Sequence, residues 1–338
     1  MRSANKLISR VWIILLAGVV VACSANGAGT TSAHGSDSDG EKATLQEWDF
    51  ITVASGGTSG NYYQIGSTME TILGDELEVG TSVQPSTGSI ENIELLRQHR
   101  AEIAFVMGDA VYQAQEGIGP YEGKTDTPEL AAITAMYPNW LHLVTLEGSG
   151  IKTVDDLRGK RVGVGSPNSG VEANAKILLE AFGLTYDDFD VDFLSYSDSA
   201  DQLQNGQIDA AFTSSGIPNS AIMDLSAQQD VRIVPIEGKG LDNLLSEYPI
   251  INTGEIPAGT YDNTEDVPVI AMMNQLVVRK DAAEEDVYLA TKALFENLDE
   301  LHASAKAAQQ ITLDSVEDGL VLDLHPGARR YFEEVGAL

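Results

Sequence analysis

The chain has 338 residues, a formal net charge of −31, five histidines and a single cysteine. Acidity this strong excludes binding to nucleic acid or coating of anionic membranes, because phosphate-rich surfaces repel it. One cysteine excludes an internal disulfide and any multi-cysteine metal site, so stability rests on the core.

In chain order the first feature is a targeting signal. Arg2, Lys6 and Arg10 flank and precede an apolar run from Val11 to Val21. That run is shorter than the roughly 20 residues a membrane-spanning helix needs, and it fits the core of a signal peptide. It closes on Val20-Val21-Ala22-Cys23, branched and small residues followed by the thiol that receives a diacylglycerol. Residues 1–22 therefore read as a lipoprotein signal peptide. Acylated Cys23 would tie the exported chain to the lipid bilayer, at the outer face of the cytoplasmic membrane or in the periplasm. Residues 23–47, rich in Ser, Gly, Thr and Ala, read as a flexible tether, because they bury too little apolar surface to offset chain entropy.

From Trp48 onward strands and helices alternate. Strands are expected at 50–54, 78–84, 103–107 and 130–136. The helix expected at 61–73 places Tyr62, Ile65, Met69, Ile72 and Leu73 on one face. A second helix at 89–97 opens with Ser89 as N-cap, and Asp109 is expected to cap a third. A further strand at 141–145 leads into a strand at 161–164 and a helix at 171–182, and further βα units follow with strands at 191–194, 209–213 and 231–235. Strand 269–278 begins a mostly helical end with helices at 284–298, 301–310 and 325–334. This order predicts an α/β fold with mainly parallel sheets.

Three loops share one plan of strand, Gly/Ser/Thr turn and helix start: Ser55-Gly-Gly-Thr-Ser-Gly60, Ser86-Thr-Gly-Ser89 and Gly165-Ser-Pro-Asn-Ser-Gly170. Glycine lets backbone N–H groups approach a ligand, and a helix N-terminus offers unpaired donors and partial positive charge suited to carboxylate or phosphate. One such loop is ordinary turn chemistry. Three of them, joined by Phe212-Thr-Ser-Ser-Gly-Ile-Pro218, point to a ligand cleft at the carboxyl ends of the strands. No P-loop, G-x-S-x-G elbow, H-E-x-x-H or C-x-x-C occurs. The histidines lack metal-ligand spacing, so neither a cofactor nor a metal nor an enzymatic activity is expected.

Ile51-Thr-Val-Ala-Ser-Gly-Gly-Thr-Ser-Gly-Asn-Tyr-Tyr63, Thr87-Gly-Ser-Ile-Glu-Asn92, the Asp-Leu-Arg-Gly-Lys core of Ile151–Val164, and Gly206-Gln-Ile-Asp-Ala-Ala-Phe212 follow one another in order. Gly216-Ile-Pro-Asn-Ser220, Ile256-Pro-Ala-Gly-Thr-Tyr261 and His325-Pro-Gly-Ala-Arg329 complete the set. From about residue 48 to its end the chain thus resembles the TAXI-type solute-binding proteins of TRAP transporters, with Asn61 where the family pattern often has Gly or Val. The resemblance implies a two-lobed periplasmic-binding-protein-like (type II) fold. Lobe 1 would be residues 48–140 plus 250–338 and lobe 2 residues 141–249, joined by hinge strands around a ligand cleft. It further implies capture of a small organic anion, a glutamate- or 2-oxoglutarate-like carboxylate, and delivery to a fused TRAP permease, with the binding protein a monomer.

Carried over residue by residue, the resemblance assigns ligand binding to Thr58, Ser59, Gly60, Tyr62 and Tyr63, and to Ser86, Thr87, Gly88, Ser89 and Asn92 on the first lobe. From the second lobe come Ser166, Asn168, Ser169 and Gly170, then Thr213, Ser214 and Pro218. No arginine sits in these loops, so neutral donors and helix ends are expected to hold the anion. Trp140 either lines the cleft or wedges the lobes. The competing readings are a binding protein of an ABC importer or of a sensor kinase, an exported hydrolase on the same scaffold, and a structural surface antigen.

Overall fold

The computed structural model describes residues 44–125 and 127–338. The expected signal peptide, Cys23 and nearly all of the tether lie outside the described residues.

Three five-residue strands, β1 (Phe50–Ala54), β2 (Gly80–Gln84) and β3 (Ile103–Met107), form a parallel set with β1 at its centre. Helices α1 (Asn61–Leu77) and α2 (Ser89–Arg97) connect them, and α3 (Gly108–Glu116) leaves β3. The five apolar residues expected on the inner face of α1 are all buried. A second parallel set consists of β5 (Arg161–Gly163), β6 (Asp190–Asp192) and β7 (Ala210–Ser215), with α4 (Gly170–Ala181), α5 (Tyr196–Gln204) and α6 (Ser220–Ser226) following the strands in turn.

Two long antiparallel strands join these wings. β4 (Leu130–Leu146) pairs first with β10 (Val267–Arg279), and beyond Trp140 with β7 and with β8 (Val231–Val234). β10 pairs with β9 (Asn252–Ile256) before it reaches β3. The path β2-β1-β3-β10-β4-β7-β5-β6 is therefore one mixed sheet, not the mainly parallel one expected. The reason is connectivity: the strand that carries the chain out to the second wing and the strand that brings it back must run in opposite directions. Helices α7 (Lys239–Glu247), α8 (Glu284–Glu296), α9 (Leu298–Ser304) and α10 (Pro326–Val335) complete the fold. α8 and α10 pack through Phe295 and Phe332, whose rings meet edge-on at 4.8 Å.

Several local expectations are corrected. The strands expected at 130–136 and 141–145 are one strand, with Pro138 taken up beside a register shift against β10. The segment 301–310 is split, because α9 ends at Ser304 and a short 3₁₀ turn covers Lys306–Gln310. Ser89 and Asp109 are not N-caps; Gly88 and Met107 hold those positions. The Ser89 hydroxyl is engaged instead by the Met107 N–H at 3.1 Å. The Asp109 carboxylate accepts from the side-chain amide of Asn174 on α4. At the start of the described chain, the buried Asp286 on α8 accepts from the N–H groups of Glu47 at 2.8 Å and Trp48 at 3.0 Å.

Candidate functional site

The loops after β1, β2, β5 and β6 converge where the two wings meet, and they enclose a cavity of about 120 Å³. Each loop starts a helix. The N-cap residues Gly60 of α1, Gly88 of α2, Ser169 of α4 and Ser195 of α5 all border the cavity. Each helix has nine or more residues, so four partial positive charges meet at one small volume, with the Glu172 and Asp198 N–H groups already taken by Ser169 and Ser195. Gly88 is at φ +124°, a backbone conformation that side-chain-bearing residues avoid. Gly170 has no room for a side chain: a Cβ there would lie 2.1 Å from Met107 Cε and 2.9 Å from Ser89 Oγ.

The wings touch directly around this cavity. The Ser220 hydroxyl donates to the Ser59 carbonyl at 2.7 Å, and the Thr87 hydroxyl lies 3.3 Å from the Asn168 carbonyl. Ser214 reaches the Met107 sulfur at 3.4 Å. On the hinge strands a polar network forms one wall. The Asn274 side-chain amide donates to the Tyr137 carbonyl and to Asn139 Oδ1, both at 2.8 Å, and its Oδ1 accepts from the Tyr62 hydroxyl. Tyr62 stacks on Phe105 with ring centroids 4.9 Å apart. Burial holds the Tyr62 and Tyr137 phenols neutral, well above the usual tyrosine range. Tyr137 is fully buried and lines the cavity, and its hydroxyl has no hydrogen-bond partner among the described residues. An unmet buried hydroxyl costs about 1–3 kcal/mol, and this one is closed off behind the wall as the wings stand.

No ionisable carboxylate, imidazole, ammonium or guanidinium appears among the described residues of the lining. The rest of the wall is apolar or weakly polar, with Met107, Val171, Leu194 and the rings of Tyr62, Tyr137 and Tyr196. Such a wall suits a short ligand with an anionic head and an apolar body. An engineered apolar cavity of about 150 Å³ takes one benzene, so a compact guest of about half a dozen heavy atoms fits the wings as they stand.

Of the residues carried over in the sequence analysis, the structure brings ten to the cavity: Gly60, Tyr62, Ser86, Thr87, Gly88, Ser89, Ser166, Ser169, Gly170 and Ser214. Seven lie off it. Thr58 is exposed on the loop, and Tyr63 sits on the side of α1 away from the buried face. Ser59 meets Ser220 through its backbone. Asn92 points into the first wing, donating to the carbonyls of Ser55 at 2.6 Å and Phe105 at 2.8 Å while accepting from Ser86. Asn168 takes the left-handed conformation, φ 58°, that its turn requires. Thr213 offers its carbonyl to His142 at 3.2 Å, and Pro218 follows a cis peptide bond. Trp140 also turns away, its ring lying over Gly254 of β9.

Not carried over, but in the lining, are Gly56 and Gly57 of the first loop together with Asn61, Met107, Tyr137, Asn139, Val171, Leu194, Ser195, Tyr196 and Ser215. Leu194-Ser-Tyr-Ser197 carried the strand–Ser–helix signal of the other loops, and Ser195 caps α5 by accepting from the Asp198 N–H at 3.2 Å. Tyr137 and Asn139 carried no such signal, because nothing local marks which residue of a long buried strand will face a cleft.

Residues 53–336 match the NMT1-like family. The chain belongs to the NMT1-like family. Two solved structures share the fold of this NMT1-like chain at low sequence identity. One is PhnD1 from Prochlorococcus marinus in complex with methylphosphonate, at TM-score 0.50 and 14% identity, covering 85% of this chain and 97% of the other. The second is a binding protein component of an ABC phosphonate transporter from Pseudomonas aeruginosa, at TM-score 0.51 and 13% identity, covering 86% and 89%. This NMT1-like chain thus has the two-lobed α/β fold of periplasmic binding proteins. No helix among its described residues is long and apolar enough to cross a membrane.

Proposed function

We propose that this NMT1-like chain is an exported, lipid-anchored solute-binding protein. It would capture a small organic anion by closing two lobes, residues 48–140 plus 250–338 and residues 141–249, and hand it to a TRAP-type membrane transporter. The observation that carries this reading is the cavity itself. Four helix N-termini surround an uncharged, partly apolar pocket. Donors of this kind hold a carboxylate or phosphonate oxygen without a guanidinium. Ser169, Gly170, Gly88 and Ser89 would take the anionic head, and Tyr62, Met107 and Tyr196 the apolar body. The present cavity favours short acids; glutamate and 2-oxoglutarate mark the upper end of the size range and would hold the wings slightly further apart.

Nothing in the wall forms a nucleophile–base pair, which is why binding is preferred to hydrolysis. A second reading keeps the same capture step but delivers to an ABC importer, the partner named for the Pseudomonas structural relative. The test of capture is a thermal-shift and calorimetric screen of the purified protein against short carboxylates, phosphonates, amino acids and sugars. A ligand at about 100 times its Kd adds roughly 2.7 kcal/mol. A shift confined to anions supports the proposal, a shift only with sugars removes the anion assignment, and no shift after partial unfolding to strip carried-over ligand removes capture. Copurification with the permease encoded beside its gene separates TRAP from ABC delivery.

A further inference from the structure

Next to the cavity, but outside its lining, two buried side chains meet across the wings. Asp109 lies on α3 and Asn174 on α4, and both are fully buried. Asn174 Nδ2 donates to Asp109 Oδ2. The remaining atoms of the pair, Asp109 Oδ1 and Asn174 Oδ1, have no partner among the described residues. Both are acceptors, so no arrangement of an ionised carboxylate and an amide satisfies them. One added proton does. A carboxylic acid and a primary amide can pair in a ring in which the amide N–H donates to the acid carbonyl and the acid O–H donates to the amide oxygen.

We propose that Asp109 and Asn174 form a proton-binding site that is complete only when the two wings are closed, so that closure takes up one proton. No new covalent chemistry is involved: the proton comes from solvent, binds Asp109 Oδ1 and is shared with Asn174 Oδ1. Opening the wings returns the carboxyl to water and releases the proton. The link to ligand capture rests on the function proposed above; the site itself does not.

The surroundings suit a neutral acid. The ionisable groups that sense the Asp109 charge from packed elements are the phenols of Tyr62 on α1, Tyr121 on the turn after α3 and Tyr248 after α7. All are uncharged at neutral pH. On α4, Lys176 is exposed and Glu172 is bonded to the Tyr186 hydroxyl at 2.8 Å. No cation among the described residues offsets the burial, and desolvation outweighs the Asn174 amide and the backbone N–H groups of Ala110 and Asp109 to raise the Asp109 carboxyl to about 7. The sign follows. With the wings apart the carboxyl returns to the ordinary range near 4. Closure is then favoured about tenfold for each unit of acidification between about 7 and 4, and is pH-independent above and below that window.

The pair Asp109→Asn and wild type tests this. Asparagine has the same shape and supplies an N–H where the acid supplies its O–H, so the variant mimics the protonated site. Thermal midpoints of the full chain are measured from pH 5 to 8. The expected result is a variant more stable than wild type at pH 8, with the advantage shrinking toward pH 5. A difference that is constant with pH, or a variant less stable throughout, overturns the proposal. Should the variant fail to fold, carboxyl ¹³C titration of aspartate-labelled wild type decides: one aspartate titrating near neutrality is expected, and all of them titrating in the ordinary range refutes it. Neither readout needs a ligand. Calorimetry with glutamate as the probe, in buffers of different ionisation enthalpy, adds the linkage. Uptake of about one proton near pH 6 supports coupling to capture, and binding without uptake removes the coupling.

Discussion

At the scale of single residues, the site separates side chains that face the cavity from those that only build its rim. Tyr137 is a lining residue whose buried hydroxyl has no partner among the described residues, whereas Thr58 stands exposed on the first loop. Removing a hydroxyl that bonds a charged ligand oxygen costs about 1–3 kcal/mol. Tyr137→Phe should therefore weaken binding of the anion found in the screen roughly tenfold or more, and Thr58→Ala should leave it unchanged. Because Phe removes an unsatisfied polar group, the same variant should be as stable as wild type without ligand, or more so. Calorimetric titration and thermal unfolding of both variants check this; equal affinities in Tyr137→Phe and wild type would take the phenol out of the site. The legibility of these residues follows their locality. Gly88, Ser169 and Gly170 belong to strand–turn–helix patterns that sequence displays, while Tyr137 and Asn139 lie on a strand buried along most of its length. Periodicity cannot say which neighbour crosses above them.

At the scale of elements, the hinge strand β4 carries a second buried ionisable group. His142 is fully buried; its Nδ1 lies 3.2 Å from the Thr213 carbonyl and its Nε2 3.1 Å from the Tyr261 hydroxyl. The Tyr261 oxygen also accepts from the Asn219 N–H at 2.8 Å. The Thr213 carbonyl can only accept, so the proton sits on Nδ1, and with the ring held neutral by burial Tyr261 donates to Nε2. Desolvation lowers the imidazole from 6.5 to about 4. Here the unfolded chain binds the proton more tightly, so this stability is complete above about pH 6.5 and is lost as pH falls toward 4. The full loss amounts to roughly 3 kcal/mol. Asp109 acts in the opposite direction over nearly the same window, gaining as pH falls from about 7. Denaturant unfolding between pH 4.5 and 6.5 should accordingly show a shallow slope for wild type. It should be steeper for Asp109→Asn, with stability rising with pH, and should tilt the other way for His142→Gln. Parallel slopes in all three proteins would contradict the assignment. Short elements such as α5 and α6 were expected only as the unbounded helices of βα units, for a related reason. α5 buries only Ser199 and Leu203, too few apolar positions to mark a period, and is held by the sheet instead of its own pattern.

At the scale of the whole molecule, a net charge of −31 opposes the approach of the anion that the cavity is proposed to hold. The two effects act over different distances. Helix-end donors act within the first turn and inside a cavity that little salt enters. The surface field reaches outward by about a Debye length, ~30 Å at 0.01 M salt and ~3 Å at 1 M. Raising salt should therefore speed association of an anionic ligand while leaving its dissociation nearly unchanged, since only the encounter crosses the screened region. A neutral ligand should show no salt dependence, and a cationic one should associate more slowly as salt rises. Stopped-flow binding at low and high salt reads this directly, and it assigns ligand charge independently of the thermal screen. Dissociation that quickens strongly with salt while association stays constant would mean that the anion is held by surface ion pairs and not in the closed pocket between the wings.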